Sequence, residues 1–320
     1  MRKVIFDTDP GIDDAMALLF AHLSADIELV GVTSVFGNAS LEQTTRNAHY
    51  LVSEFGLDCP VHAGAAEPLQ IAIDEAPVFV HGFDGMGDAG TDAPPVAEQG
   101  DAVSFLIDMV RAHPGQIDVV AVGRMTNLAL ALQRDPDFAG FVRSVVIMGG
   151  ALGRHGFSGN VTPVAEANII GDPHAADLVF CAPWALTMVG LDVTMRTLMA
   201  PQMMKRLRAD AGRVGQFVYD ISRHYQSFYE ARTGSPSFPV HDSLALINLI
   251  RPDLFEASEG GLRVCTEGMA IGQTILVPQT REYPEAPWTA DLPTQQASVD
   301  VDSEAALALY MQTLLDGAGG

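Results

Sequence analysis

Stretches rich in Val, Ile and Leu recur along this chain, and helical patterns separate them. The stretches are Val4 to Phe6, Ile27 to Val35, Ile117 to Val122, Ser144 to Met148 and Ala185 to Val189. Strands that are apolar on both faces belong in a parallel sheet covered by helices on each side. The intervening segments read as those helices. Leu41 to Phe55 ends at Gly56, a C-cap residue, and Ala102 to His113 is stopped by Pro114-Gly115. Leu128 to Gln133 follows the Ile117 strand, and Asp172-Pro173 opens a helix through Cys181. Pro201 to Arg232 is mostly helical, His241-Asp242 opens a helix through Ile250, and Ser303 to Leu315 forms the last helix. Short strands are expected at Pro60 to His62 and Gly272 to Val277, with loops at residues 64–100 and Gly153 to Pro163. No linker or repeat divides the 320 residues. The expectation is a single α/β domain over 1–320: one large, open, mainly parallel sheet with helices on both faces. In such a sheet, ligands bind at the C-terminal edge of the strands.

The first strand delivers an unusual cargo to that edge. Asp7, Asp9, Asp13 and Asp14 fall within eight positions around the turn Pro10-Gly11, and a helix begins at Ala15. Helix capping explains Asp13 or Asp14, at about 0.5–2 kcal/mol. Capping leaves Asp7 and Asp9 unexplained, because like charges at short range repel. A hard divalent cation, which takes oxygen ligands, removes that repulsion. Asp7, nearest the strand, is the one expected to serve the structure instead.

Other polar residues also follow strands: Asn38, Thr126-Asn127, Gly149-Gly150 and Asp192. The turn Gly123-Arg124-Met125-Thr126-Asn127 offers either a backbone carbonyl to a metal or a helix cap. In Asn160 to Asn168, an extended segment would point Glu166 and Asn168 to one side. Carboxylate and amide groups suit the hydroxyls of a sugar, and a solvated loop is the competing reading. His241-Asp242 combines a group that titrates near neutrality with a further oxygen ligand, or is simply a helix start.

Charge and cysteine content exclude other classes. A net charge of −22, with Lys3 and Lys205 the only lysines, argues against nucleic-acid phosphates and anionic lipid as partners. Cys59, Cys181 and Cys265 make no metal or redox pair and fit a reducing compartment. Only three apolar residues precede Asp7, and no run reaches the roughly 18 that a membrane span needs. A cytoplasmic protein without a membrane segment is expected.

Taken together, Asp7-Thr8-Asp9-Pro10-Gly11-Ile12-Asp13-Asp14-Ala15, Met125 to Ala129, Met148-Gly149-Gly150, Asn160 to Asn168 and His241-Asp242 resemble the inosine–uridine-preferring nucleoside hydrolases, in the same order. The resemblance implies hydrolysis of the N-glycosidic bond of ribonucleosides to free base and ribose. It implies Ca²⁺ held by Asp9, Asp14, the Thr126 carbonyl and Asp242, with Asp9 as general base toward water. It implies Asp13, Asn168 and Asn38 on the ribose diol, Asn160 and Glu166 on the 5′-hydroxyl, His241 as acid to the leaving base, and His81, Tyr225 and Tyr229 around that base. A homodimer or homotetramer is expected on the same ground. Three positions depart from the family pattern: Gly123-Arg124-Met125 stands where Gly-Pro-Leu is common, Ala167 where Phe is common, and Ser243 where Pro is common.

Two competing readings complete the set. A strand ending in Asp-x-Asp is also similar to haloacid dehalogenase-like phosphatases, with Asp7 as nucleophile and Gly171 to Asp177 as a Mg²⁺ motif. Lys3 and Lys205 are both misplaced for the lysine those enzymes use. The other is a Ca²⁺-dependent nucleoside-binding protein without catalysis, against which the presence of Asp9 and His241 speaks.

Overall fold

A computed structural model describes residues 1–91, 100–281, 283 and 292–317. The chain order is β1 (Arg2–Thr8), α1 (Ile12–Leu23), β2 (Ile27–Ser34), α2 (Leu41–Phe55), β3 (Val61–Ala63), α3 (Val78–His81), α4 (Ala102–Ala112), β4 (Ile117–Ala121), α5 (Thr126–Arg134), α6 (Phe138–Phe141), β5 (Ser144–Met148), α7 (Ala167–Gly171), α8 (Pro173–Phe180), β6 (Leu186–Val189), α9 (Leu191–Thr194), β7 (Leu198–Met199), α10 (Pro201–Asp210), α11 (Gly212–Thr233), β8 (Phe238–Pro239), α12 (Asp242–Ile250), β9 (Phe255–Val264), β10 (Thr274–Pro278), β11 (Gln295–Val301) and α13 (Ser303–Gly317).

One nine-stranded sheet carries the fold, in the order β10-β9-β11-β6-β5-β4-β1-β2-β3. From β11 to β3 all neighbours are parallel, as the apolar runs require. Strand β1 lies between β4 and β2, so it is covered on both edges and both faces. Its side chains alternate between two cores. Val4 and Phe6 pack into the layer with α1, α11, α12 and α13, and Ile5 into the layer with α4, α5 and α8. Helix α1 is buried on nearly every side, which fits its sequence Ala-Met-Ala-Leu-Leu-Phe-Ala.

Two features differ from expectation. The residues after Arg251 form two long strands, β9 and β11, and β9 pairs antiparallel with both β11 and β10. Their sequences, Phe-Glu-Ala-Ser-Glu-Gly-Gly-Leu-Arg-Val and Gln-Gln-Ala-Ser-Val-Asp-Val, mix polar and charged residues with apolar ones, so no continuous apolar run marks them. In the second case, residues 167–171 are helical, not extended. The expected loop at 64–100 contains the short helix α3, and its residues 92–99 lie outside the described set. Helix α2 ends as expected, with Gly56 in the left-handed region at φ +69°. Among the described residues, no helix is long and apolar enough to cross a membrane.

Candidate active site

Because the strands are parallel, the turns after β1, β2, β4, β5 and β6 all open on one edge of the sheet. The turn after β1 is the most constrained of them. Asp14 accepts from its own turn: the Thr8 hydroxyl at 2.5 Å, the Asp9 N–H at 3.2 Å and the Gly11 N–H at 2.9 Å. The Asn38 side chain, from the turn after β2, also donates to Asp14 at 2.9 Å. The Asn38 backbone N–H donates to Oδ2 of Asp9 at 2.8 Å. These bonds lock two carboxylates beside each other at the strand's end. Asp7 does something different: its Oδ2 accepts from Thr33 at 2.6 Å and Asn127 at 2.8 Å, tying β1 to its neighbours.

Helix α12 brings a distant acid to the same place. Oxygen atoms of Asp13, Asp14 and Asp242 all lie within 4.8 Å of one another, and all three residues are buried or nearly so. Asp9 Oδ1 and Asp13 Oδ1 are buried without a hydrogen-bond partner. Burial raises the pKa of Asp9, Asp13, Asp14 and Asp242, that of Asp13 to about 6. For Asp9 and Asp14 the charge of a neighbouring Asp adds to the rise. Orphaned anionic oxygens at this spacing fit a hard divalent cation.

A cavity of about 380 Å³ opens from this acid cluster. Asp13, Asn38, His81, Asn160, Glu166, Asn168, Tyr225, Tyr229, His241 and Asp242 line it. Asp9 and Asp14 sit behind that wall and reach it through Asn38 and Asp242. Thr126 does not line it. Its hydroxyl donates to Asp172 at 2.8 Å, because helix α5 begins at Thr126 and turns the residue inward. At that turn the cavity residue is Val122, whose carbonyl accepts from Asn168 Nδ2 at 2.7 Å.

Glu166 and Asn168 do converge on the cavity, though for another reason than strand alternation. Glu166 is the N-cap of α7 and accepts from Asn168 N–H at 3.0 Å and Ile169 N–H at 3.2 Å, and from Gly150 N–H at 2.9 Å. Burial nevertheless raises its carboxyl pKa. Asn160 Oδ1 accepts from Ala167 N–H at 3.1 Å. Asn127 and Asp192 belong to the frame: Asp192 accepts from the N–H groups of Leu152 and Arg154, at 2.8 and 2.6 Å.

Part of the cavity wall is aromatic. His81 and Tyr225 have ring centroids 5.7 Å apart, and Tyr225 and Tyr229 5.0 Å. Tyr225 donates to Asp13 at 3.3 Å. Burial lowers the pKa of His81 to about 4 and that of His241 to about 3, so both are neutral near pH 7. The Ile12 N–H donates to Nδ1 of His81 at 3.2 Å.

Acids, amides and aromatic rings lining one pocket suit a molecule with a sugar joined to a flat base. Comparison with known proteins agrees. Residues 4–308 match the family described as inosine-uridine preferring nucleoside hydrolase. The chain belongs to that family. It is 39% identical over 307 residues to uridine nucleosidase 1 of Arabidopsis thaliana, covering 94% of this chain and 90% of the relative. It is 36% identical over 279 residues to the inosine-uridine preferring nucleoside hydrolase of Crithidia fasciculata, covering 86% and 87%. Among solved structures it superposes on a plant nucleoside hydrolase with a TM-score of 0.90 at 32% identity, covering 98% of this chain and 99% of that one. A purine-preferring ribonucleoside hydrolase from Gardnerella vaginalis gives 0.89 at 34%, covering 99% of each chain.

As a nucleoside hydrolase, the chain acts on N-glycosidic bonds. The phosphatase reading fails on geometry as well: Asp7 is fully buried off the cavity, and Asp172 is spent on Thr126 and on the N–H groups of Leu69 and Ala175. Several cavity residues escaped the sequence reading. Phe228, Arg232 and Thr233 share a face of α11 with Tyr225 and Tyr229, at spacings of three and four, and that period marks them. Phe79 and Met195 carried no such signal.

Proposed function

We propose that this nucleoside hydrolase depends on Ca²⁺ and that Asp9 is the general base. The observation that carries the reading is the meeting of Asp13, Asp14 and Asp242, whose oxygens lie within 4.8 Å of one another, with Asp9 beside Asp14 behind the wall of the cavity that also holds His241. Asp9, Asp14 and Asp242 would hold the ion, with Asp13 close by. Val122 lines the cavity and Thr126 does not, so the Val122 carbonyl is the better-placed backbone ligand for the ion. When bound, the ion supplies Lewis-acid chemistry, making water more acidic and fixing sugar hydroxyls.

The chain's own residues do the remainder. Asp13, Asn38 and Asn168 orient the 2′- and 3′-hydroxyls, and Asn160 and Glu166 take the 5′-hydroxyl. Asp9 accepts a proton from the water that attacks the anomeric carbon, while the bond to the base breaks through an oxocarbenium-like state. Because burial keeps His241 neutral, the imidazole and the Tyr229 hydroxyl assist the departing base by hydrogen bonding, and the base takes its proton from water.

We further propose, on the family likeness, a homodimer or homotetramer in the cytoplasm, a state that sedimentation equilibrium measures. The experiment for the mechanism is Asp9→Asn, assayed for free ribose from a panel of nucleosides with and without chelator. The expected loss is about 10²–10⁴-fold in kcat with the fold intact. Near-parental turnover in the variant, or undiminished turnover after complete metal removal, rejects the reading.

A further inference from the structure

Arg124 departs from the family pattern and reaches the general base proposed above. Its Nη1 lies 3.4 Å from Oδ2 of Asp9 and 3.5 Å from the Phe36 carbonyl, and its guanidinium carbon stands 5.0 Å from the centre of the Phe36 ring. Its side chain is 12% exposed. The backbone around it is shaped to admit it. A Cβ on Gly171 would stand 2.1 Å from Nε of Arg124, and a Cβ on Gly37 would stand 2.1 Å from Nη1 and 1.8 Å from Oδ2 of Asp9. Two glycines, from the turn after β2 and from the end of α7, thus leave the slot that the arginine occupies. Its charge also works on Asp9 and Glu166 against the effect of burial.

The two oxygens of Asp9 have different surroundings. Oδ2 accepts from the Asn38 N–H and faces Arg124, whereas Oδ1 is buried without a partner. We propose that Arg124 is a positioning residue: seated between Gly37 and Gly171, it holds Oδ2 of Asp9 against the Asn38 N–H and so leaves Oδ1 as the oxygen for proton transfer. A carboxylate gripped through one oxygen loses the rotation that would exchange the two. Arginine suits the slot because Nη1 reaches both Asp9 and the Phe36 carbonyl while the guanidinium carbon stands over the Phe36 ring.

The inference rests on Asp9 acting as the base, so its test includes Asp9→Asn. Arg124→Gln and Arg124→Lys are compared with the parent on one nucleoside at saturating Ca²⁺, with thermal unfolding as a control for folding. Arg124→Gln is expected to lower kcat about 10–100-fold, the scale of a misplaced catalytic group, and to leave KM within about twofold. Arg124→Lys, which keeps the charge, recovers part of the loss. A crystal structure of Arg124→Gln is expected to show Asp9 Oδ2 drawn away from the Asn38 N–H. If Arg124→Gln does not fold, Arg124→Lys decides alone: kcat below the parent at unchanged KM supports the proposal, and parental kcat overturns it. A kcat for folded Arg124→Gln within about twofold of the parent, or a loss that falls on KM, overturns it while an inactive Asp9→Asn leaves the base assignment standing. An active Asp9→Asn overturns both.

Discussion

The hydroxyl of Tyr229 lies 3.1 Å from Nε2 of His241, and Nδ1 of that ring lies 2.8 Å from the Thr194 hydroxyl. The imidazole is therefore clamped at both nitrogens between α9 and α11 and cannot turn. Tyr229→Phe removes one clamp and the last donor before the base. For inosine or uridine, kcat should fall by about 10²-fold, the scale of one lost hydrogen-bond donor to developing charge. For p-nitrophenyl riboside, whose leaving group needs no proton, kcat should change by less than about threefold. Steady-state kinetics on the two substrates measures the difference. Equal losses on both would assign Tyr229 to sugar binding instead.

Adding calcium should stabilise the fold. Asp9, Asp13, Asp14 and Asp242 are all pushed toward protonation by burial, and an ion relieves the repulsion among them. Binding to the folded chain alone adds about 2.7 kcal/mol at a hundredfold excess over Kd. Calorimetry of chelator-treated protein, with Ca²⁺ added back, should show the unfolding temperature rise with ion concentration. Asp242→Asn should flatten that rise.

In chelator-treated protein, stability should fall as pH rises from about 4 to about 7. Burial raises the Asp7 carboxyl from its ordinary 3.8 to about 7. Between those values the folded chain binds more protons than the unfolded one, so its stability is fullest below the unfolded value and is lost as pH climbs through the folded one. Three units correspond to about 4 kcal/mol. Asp7→Asn keeps acceptors for Thr33 and Asn127 and removes the titrating proton. Its thermal stability should vary less across this pH range than the parent's.

The base end of the cavity should tune substrate affinity and leave turnover largely alone. Phe79 lines the cavity yet is 65% exposed, and its ring lies 5.9 Å from that of Phe228. Phe79→Ala should raise KM by about 2–10-fold, the equivalent of one aromatic contact, with kcat within about twofold. A fall in kcat at constant KM would place Phe79 nearer the chemistry than this geometry suggests.

Much of the site was legible before any coordinates. The acidic turn after β1 announced an ion because four carboxylates in eight positions exceed what capping needs, and Asp7 was separable from them by its place in the strand. His241-Asp242 was visible as a pair but gave no sign of its distance from Asp9, since some 230 positions lie between them. Which way Thr126 faces was not legible, because a residue at a strand-to-helix turn can face either way; here its hydroxyl donates to Asp172. Glu166 and Asn168 reached the cavity by a helix cap, which their spacing of two did not suggest. The Arg124 slot was illegible: an arginine's neighbours in space, here Gly37 and Gly171, leave no trace near it in sequence.

The sequence by itself determined the class of fold and the chemistry of the groups at its edge. Short apolar runs rich in Val and Ile, alternating with helical patterns, fit a covered parallel sheet, and that sheet sends every βα turn to the same side. Tertiary structure alone decided which of those groups meet, which oxygen of Asp9 is gripped, and which histidines stay neutral. Those outcomes depend on distances and burial between segments remote in the chain, and local residue patterns do not encode either.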